Sequence, residues 1–263
     1  MFLANFFTTI GMDEQPIDYF FGTYHLLYFL LFIVSFIILF VILIKQNKKN
    51  QNIFINITLI LILFLKYITE VLFIYEFYNV YPAYSSYPHP FLDVNTFFSF
   101  QLCGVMNIVL PLTIWFKIKP LKPFVYLTSI LGGLAVVLYP VTVLYGEPFQ
   151  VTLPMLRSSI VHFFLVLIPL VLIYRRDIKL NKKHGIHIAI GLLSIAAWAM
   201  IGNLFIDTTA NNMYLMVNPF LDGPIPILNT MKSGWHNIIL TIMVTIGYII
   251  IYQFAKLFQK KSD

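Results

Sequence analysis

Seven runs of apolar residues, separated by shorter stretches that hold nearly all of the charge, set the pattern of this chain. They fall at about 23–44, 53–77, 97–116, 122–145, 155–174, 184–206 and 235–257, each roughly 20 residues long and able to cross a hydrocarbon core at about 1.5 Å per residue. Each is apolar on most sides rather than along one stripe. Barrel strands would be shorter and polar at every second position, so each run is read as a helix that closes its own backbone hydrogen bonds, as lipid demands. The expected fold is all-α: a polytopic membrane helical bundle of seven transmembrane helices. Residues 1–22 form an extracellular N-terminal arm, 23–257 the bundle and 258–263 a cytoplasmic basic tail. Pro111, Pro140 and Pro169 fall inside the third, fourth and fifth runs and are expected to kink them. The sixth run is rich in small residues (Gly191, Ser194, Ala196, Ala197, Ala199, Gly202), which favours close helix packing.

Charge then orients the bundle. The chain has 263 residues and a net charge of +6, yet only 11% of it is charged and 59% is hydrophobic, whereas a soluble domain is about a quarter charged. Fourteen of the 17 basic residues fall in the first, third and fifth connections and the tail: Lys45, Lys48, Lys49; Lys117, Lys119, Lys122; Arg175, Arg176, Lys179, Lys182, Lys183; and Lys256, Lys260, Lys261. By the positive-inside rule those segments are cytoplasmic, the N-terminus lies outside and the C-terminus inside. This places the chain in the cell membrane as a multi-pass protein and removes nucleic acid as the reason for its basicity. Asp13, Glu14 and Asp18 in the opening segment, with no basic n-region, do not fit a cleavable signal peptide. The outer connections, Phe77 to Asn95 and Asp207 to Gly234, are long and rich in Pro and aromatics, as segments covering a site tend to be.

With orientation assigned, the polar residues inside the runs gather in the outer half. His25 lies near the outer surface; the second run carries Lys66 and Glu70; the third Gln101, Cys103 and Asn107; the fifth Arg157, Ser158, Ser159 and His162; the sixth ends with Asn203 and Asp207; the seventh begins with His236 and Asn237. Ionisable groups in lipid mark sites or pair with one another, so a cavity opening outward is expected. Lys66 and Glu70, four residues apart, are read first as a neutralising pair. Cys103 stands six residues inside its run and His162 seven, about 9–11 Å deep, so they can share one layer. With a single cysteine no intrachain disulfide forms, and no metal or cofactor site is expected.

Three segments resemble the bacterial YwaF-type integral membrane proteins and their animal relative, transmembrane protein 164. They are Phe100-Gln101-Leu102-Cys103-Gly104, Ser158-Ser159-Ile160-Val161-His162, and Asn211-Asn212-Met213-Tyr214-Leu215 followed by Pro219. The resemblance implies an acyltransferase acting on phospholipids through a Cys and a His, roles that match Cys103 and His162. Bacterial members often read His-Leu-Cys where this chain has Gln101-Leu102-Cys103. On this reading His162 takes the thiol proton, and an acyl-thioester forms from an outer-leaflet phospholipid before transfer to a lysophospholipid. Gln101, Asn107, Glu70, Asn203 and Asp207 are the candidates for supporting or oxyanion roles, with Glu70, Asn107 and Asp207 those for orienting His162. Arg157, Ser158, Ser159, His236 and Asn237 are the candidates for binding substrate. The rival reading is a non-enzymatic lipid or small-molecule binding protein, or a transporter, using the same polar cavity.

Overall fold

The computed structural model describes residues 6–7, 19–79, 98–140, 143–146, 149, 151–208 and 210–260. The second connection, most of the N-terminal arm and the last residues of the tail lie outside the described residues, and the expectations made for them go with them. Among the described residues the chain is all-helical. Five helices are long and apolar enough to cross a membrane: α1 (Thr23–Lys45), α2 (Lys48–Asn79), α5 (Leu153–Tyr174), α6 (His184–Ile201) with the π-helical turn Gly202–Ile206 that continues it, and α7 (His236–Lys260). Two are shorter, α3 (Leu102–Trp115, 14 residues) and α4 (Lys122–Leu138, 17 residues).

The two short helices correct the expected runs at 97–116 and 122–145. Helix α3 starts five residues late because Gln101 is extended (φ −78°, ψ 143°) and caps the helix from outside. Phe100 before it turns into the bundle, stacks on Trp198 with ring centroids 4.8 Å apart, and is held there by Trp198 Nε1 donating to Ser99 O. Helix α4 stops at Leu138. Pro140 therefore lies beyond α4 and does not kink it, because a residue preceding proline is pushed out of helical conformation, and Tyr139 sits at φ −139°, ψ 82°. Pro111 and Pro169 do lie inside α3 and α5.

Helix α4 is the axis of the molecule. Eight consecutive residues from Pro123 to Ile130 are buried, and α5, α3, α7, α6 and α1 all pack on it. Its neighbours supply Leu165, Leu167 and Leu172 from α5 and Met106 and Leu110 from α3. Helices α1, α6 and α7 instead turn Leu31, Leu193 and Ile250 outward, an apolar exterior suited to lipid. His25 ties α1 to α4, its Nε2–H donating to Val137 O at 2.9 Å while Nδ1 accepts from Phe21 N.

The bundle has two unlike ends. At the basic end Lys122 Nζ meets Asp177 Oδ2 at 2.6 Å and Tyr126 OH donates to the same oxygen at 2.7 Å, fastening the start of α4 to the α5–α6 connection. The loop end is covered by the chain from Asp207 to Gly234, which includes short 3-10 turns at Asn212–Tyr214 and Leu228–Thr230.

Candidate functional site

Cys103 Sγ and the backbone carbonyl of His162 lie beside adjacent residues of α4, Gly132 and Gly133. Cys103 lies in the first turn of α3, half-buried, with Sγ 3.6 Å from Gly132 O. His162 lies nine residues into α5. A Cβ on Gly132 would stand 3.1 Å from Cys103 Sγ, and one on Gly133 would stand 2.7 Å from His162 O and 2.6 Å from Val166 Cγ2. The glycine pair thus lets α3 and α5 close on α4 at one height, where side chains would hold them off. Cys103 is the second residue of α3 rather than six residues inside its helix, so the depth count behind the shared layer does not hold for it.

The imidazole is buried and oriented. Its Nδ1–H donates to Ser158 O at 2.7 Å, with Ser158 Oγ also near at 3.3 Å. The ring is therefore the Nδ1–H tautomer, and Nε2, which makes no hydrogen bond among the described residues, carries the basic lone pair. The orienting group is the carbonyl one turn before the ring, in place of Glu70, Asn107 or Asp207. Thiol and imidazole make no hydrogen bond to each other here; the sulfur's partner is Gly132 O.

Helix α2 carries a buried ion pair. Lys66 Nζ meets Glu70 Oε1 at 3.2 Å, both residues are at least nine-tenths buried, and Lys66 also stands over the Tyr67 ring at 4.9 Å. Arg157 is within electrostatic reach of Glu70, His162 and Tyr145. The pair expected from the four-residue spacing is present. Ser159 turns its hydroxyl to Met155 O and Ser158 faces the imidazole, while Thr152 caps α5 and meets Tyr145 OH.

Asn107, one turn below Cys103 on the same helix face, is 8% exposed, and its Oδ1 has no hydrogen-bond partner. Ser129, three residues before Gly132, is wholly buried with an unbonded Oγ. The sequence reading missed Ser129 among the apolar neighbours of α4.

The covering segment at the loop end absorbs the remaining expected site residues. Asn203, in the π turn, accepts from Asn212 N at 2.8 Å and from Asn212 Nδ2, and donates to Asn212 O. Gln101 Oε1 accepts from Met213 N. His236 is fully buried, Nε2–H donating to Tyr214 O at 2.7 Å and Nδ1 accepting from Gly234 N; Asn237 Nδ2 donates to Leu215 O. Asp207 closes the π turn with its N–H on Gly202 O. Gln101, Asn203, His236 and Asn237 thus each hydrogen-bond the covering segment. What they hold is Met213 and Tyr214, both left-handed at φ 54° and 58°, a conformation costing about 1–2 kcal/mol per residue without glycine. Burial pushes the Tyr214 phenol above its usual range, with Cys103 and Tyr139 as further neighbours raising it.

Among the described residues no three His, Cys, Asp or Glu side chains gather as a metal site. A groove of about 530 Å³ lies between α2 and α3, bounded by Ile60, Phe64, Tyr67, Val71 and Trp115. Its lining is apolar and does not include Cys103 or His162, so it differs from the polar recess expected around those two residues.

Comparison with known proteins adds one match. No curated protein and no solved structure resembles the chain closely enough to match it. The family model described as the TMEM164 family matches residues 20–254, nearly the whole helical bundle and its covering loop. On that match, joined to a multi-pass apolar bundle, the chain belongs to the TMEM164 family.

Proposed function

We propose that this protein is a lipid acyltransferase or transacylase of the cell membrane, working on outer-leaflet glycerophospholipids through Cys103 and His162. The observation that supports the reading is that the Cys103 thiol and the His162 backbone lie beside adjacent residues of α4, Gly132 and Gly133, with the imidazole held as its Nδ1–H tautomer by Ser158 O. In this reading all seven helices cross the membrane, with the basic end cytoplasmic. Helices α3 and α4 span only about 21 and 26 Å as helix. The non-helical residues beyond them complete the crossing inside protein, as Phe100, Leu144 and Tyr145 are buried.

The resting thiol is parked on Gly132 O and reacts after it leaves that carbonyl. His162 Nε2 takes its proton, and the sulfur attacks an ester carbonyl to give an acyl-thioester and a lysophospholipid. A second lysophospholipid hydroxyl then accepts the acyl group, with the same nitrogen removing its proton. No metal or cofactor enters.

The test uses the full chain reconstituted with a phospholipid bearing a labelled acyl chain. Hydroxylamine-labile label on Cys103 is expected, lost in Cys103→Ala and His162→Ala. Lipid turnover unchanged in both variants would overturn the proposal. The buried Lys66–Glu70 pair, with the half-buried Arg157 within electrostatic reach of Glu70, favours the rival reading of a lipid-binding protein or transporter, which predicts binding or uptake that survives Cys103→Ala.

A further inference from the structure

Asn107, one helical turn from Cys103 on α3, and Ser129, three residues before Gly132 on α4, are both buried, and Asn107 Oδ1 and Ser129 Oγ have no hydrogen-bond partner among the described residues. Such groups are uncommon in native interiors and call for a ligand or an ordered water. Asn107 follows Cys103 by four residues on α3, so the two share a face. Ser129 precedes Gly132 and Gly133 by three and four on α4 and shares theirs. Helices α3 and α4 are joined by a short connection and run antiparallel. The Cys103–Gly132 contact sets their register and brings Asn107 and Ser129 to one level, just below the sulfur. The neighbouring Thr128 is already taken, its Oγ1 lying 2.6 Å from Tyr248 OH. Of the five residues first considered for support or oxyanion roles, Gln101, Asn203 and Glu70 are engaged elsewhere and Asp207 terminates the π turn. Asn107 Oδ1 has no partner, and no hydrogen bond of its amide nitrogen is seen among the described residues.

We propose that the Asn107 carboxamide and the Ser129 hydroxyl form an oxyanion site for an acyl ester attacked by Cys103. The inference rests on the acyl-transfer reading above. As the sulfur–carbon bond forms, the carbonyl π pair moves to oxygen, where Asn107 Nδ2–H and Ser129 Oγ–H donate to it. Collapse restores the carbonyl and breaks the ester C–O bond, and the departing glycerol oxygen takes the proton that His162 Nε2 removed from the thiol. Donors fixed in a site without water need no reorganisation when charge develops, which is why such sites act strongly.

The test compares two reactions of the same sulfur in the full reconstituted chain. One is acylation by phosphatidylcholine with a labelled acyl chain. The other is alkylation by iodoacetamide, a displacement at saturated carbon that makes no oxyanion. Asn107→Ala is expected to slow acylation about 100-fold and leave alkylation within about twofold, and Asn107→Asp, which replaces the donor by a carboxylate, to slow it at least as much. Ser129→Ala, removing one oxygen from a packed site, is expected to act in the same selective way and serves if the Asn107 variants do not fold. Acylation and alkylation falling together, or neither falling, overturns the oxyanion site while leaving Cys103 acylation intact. Absence of acylation in the unsubstituted chain overturns the acyl-transfer reading, and this inference with it.

Discussion

At the scale of single residues the site depends as much on what is missing as on what is present. Gly133 stands where a methyl group would strike His162 O and Val166, both on the buried face of α5. Backbone cannot step aside as a flexible side chain does, so Gly133→Ala is expected to lower stability by about 1–3 kcal/mol. Thermal unfolding in detergent would show it, with Gly185→Ala as the control, since nothing lies within 4 Å of a Cβ there. A Gly133→Ala protein as stable as that control would mean that α4 and α5 are not packed this closely. Cys103 and His162 could be picked from the sequence because a thiol and an imidazole are conspicuous among apolar residues. The glycine pair beside them, and the Ser158 carbonyl that sets the tautomer, carry no such signal. Asn203 and His236 were conspicuous too, yet their polarity serves the covering loop. Polarity in a membrane helix marks a residue that needs a partner, without saying whether the partner is substrate or backbone.

At the scale of elements, hydropathy located the seven long helices of the described residues but misplaced the ends of α3 and α4, the two nearest Cys103. Phe98, Phe100 and Tyr145 are as apolar as helix interiors, so composition carries the third and fourth runs straight through them. The conformational reasons for stopping are Gln101 drawn toward Met213 and Tyr139 forced extended by Pro140. At the other end of α4, composition marks a basic cluster, and the structure makes it a latch. Burial alone would raise the Asp177 carboxyl, but hydrogen bonds from Lys122 and Tyr126 and the nearby Lys122 and Arg175 charges hold it below its usual range. A carboxyl depressed in the folded state contributes stability that is present above the ordinary carboxylate pKa of about 3.9 and is lost as pH falls through the folded value. Asp177→Asn should therefore melt below the parent protein at about pH 6, and the gap should close as pH drops below about 4. A gap of constant size in detergent-solubilised protein would show that the latch does not depend on the carboxylate charge.

At the scale of the whole molecule, the two ends of the bundle divide the labour. The basic end collects Lys45, Lys48, the latch around Asp177 and the contact of Arg176 Nη2 with Gln259 O, while the loop end gathers the thiol, the imidazole, the Lys66–Glu70 pair and the strained Tyr214 turn. The proposed seven crossings make these assignments interdependent, because removing either short helix would split the basic connections between the two sides and defeat the charge bias that orients the chain. The arrangement predicts that reporters placed after Gln46, Lys119, Lys182 and the tail all read cytoplasmic, and that one placed at Gly223 reads external. Helix α3 is the sensitive case, since 14 residues fall short of a bilayer and depend on Phe100 and the Gln101–Met213 bond to finish the crossing within protein. If the reporters after Gln46 and Lys119 fall on opposite sides, one of α2 and α3 does not cross. Failure of α3 would leave Cys103 outside and carry Lys119 out with it, whereas failure of α2 would turn Cys103, at the start of α3, to the inner leaflet, and the acyl donor would have to be sought on that face of the membrane.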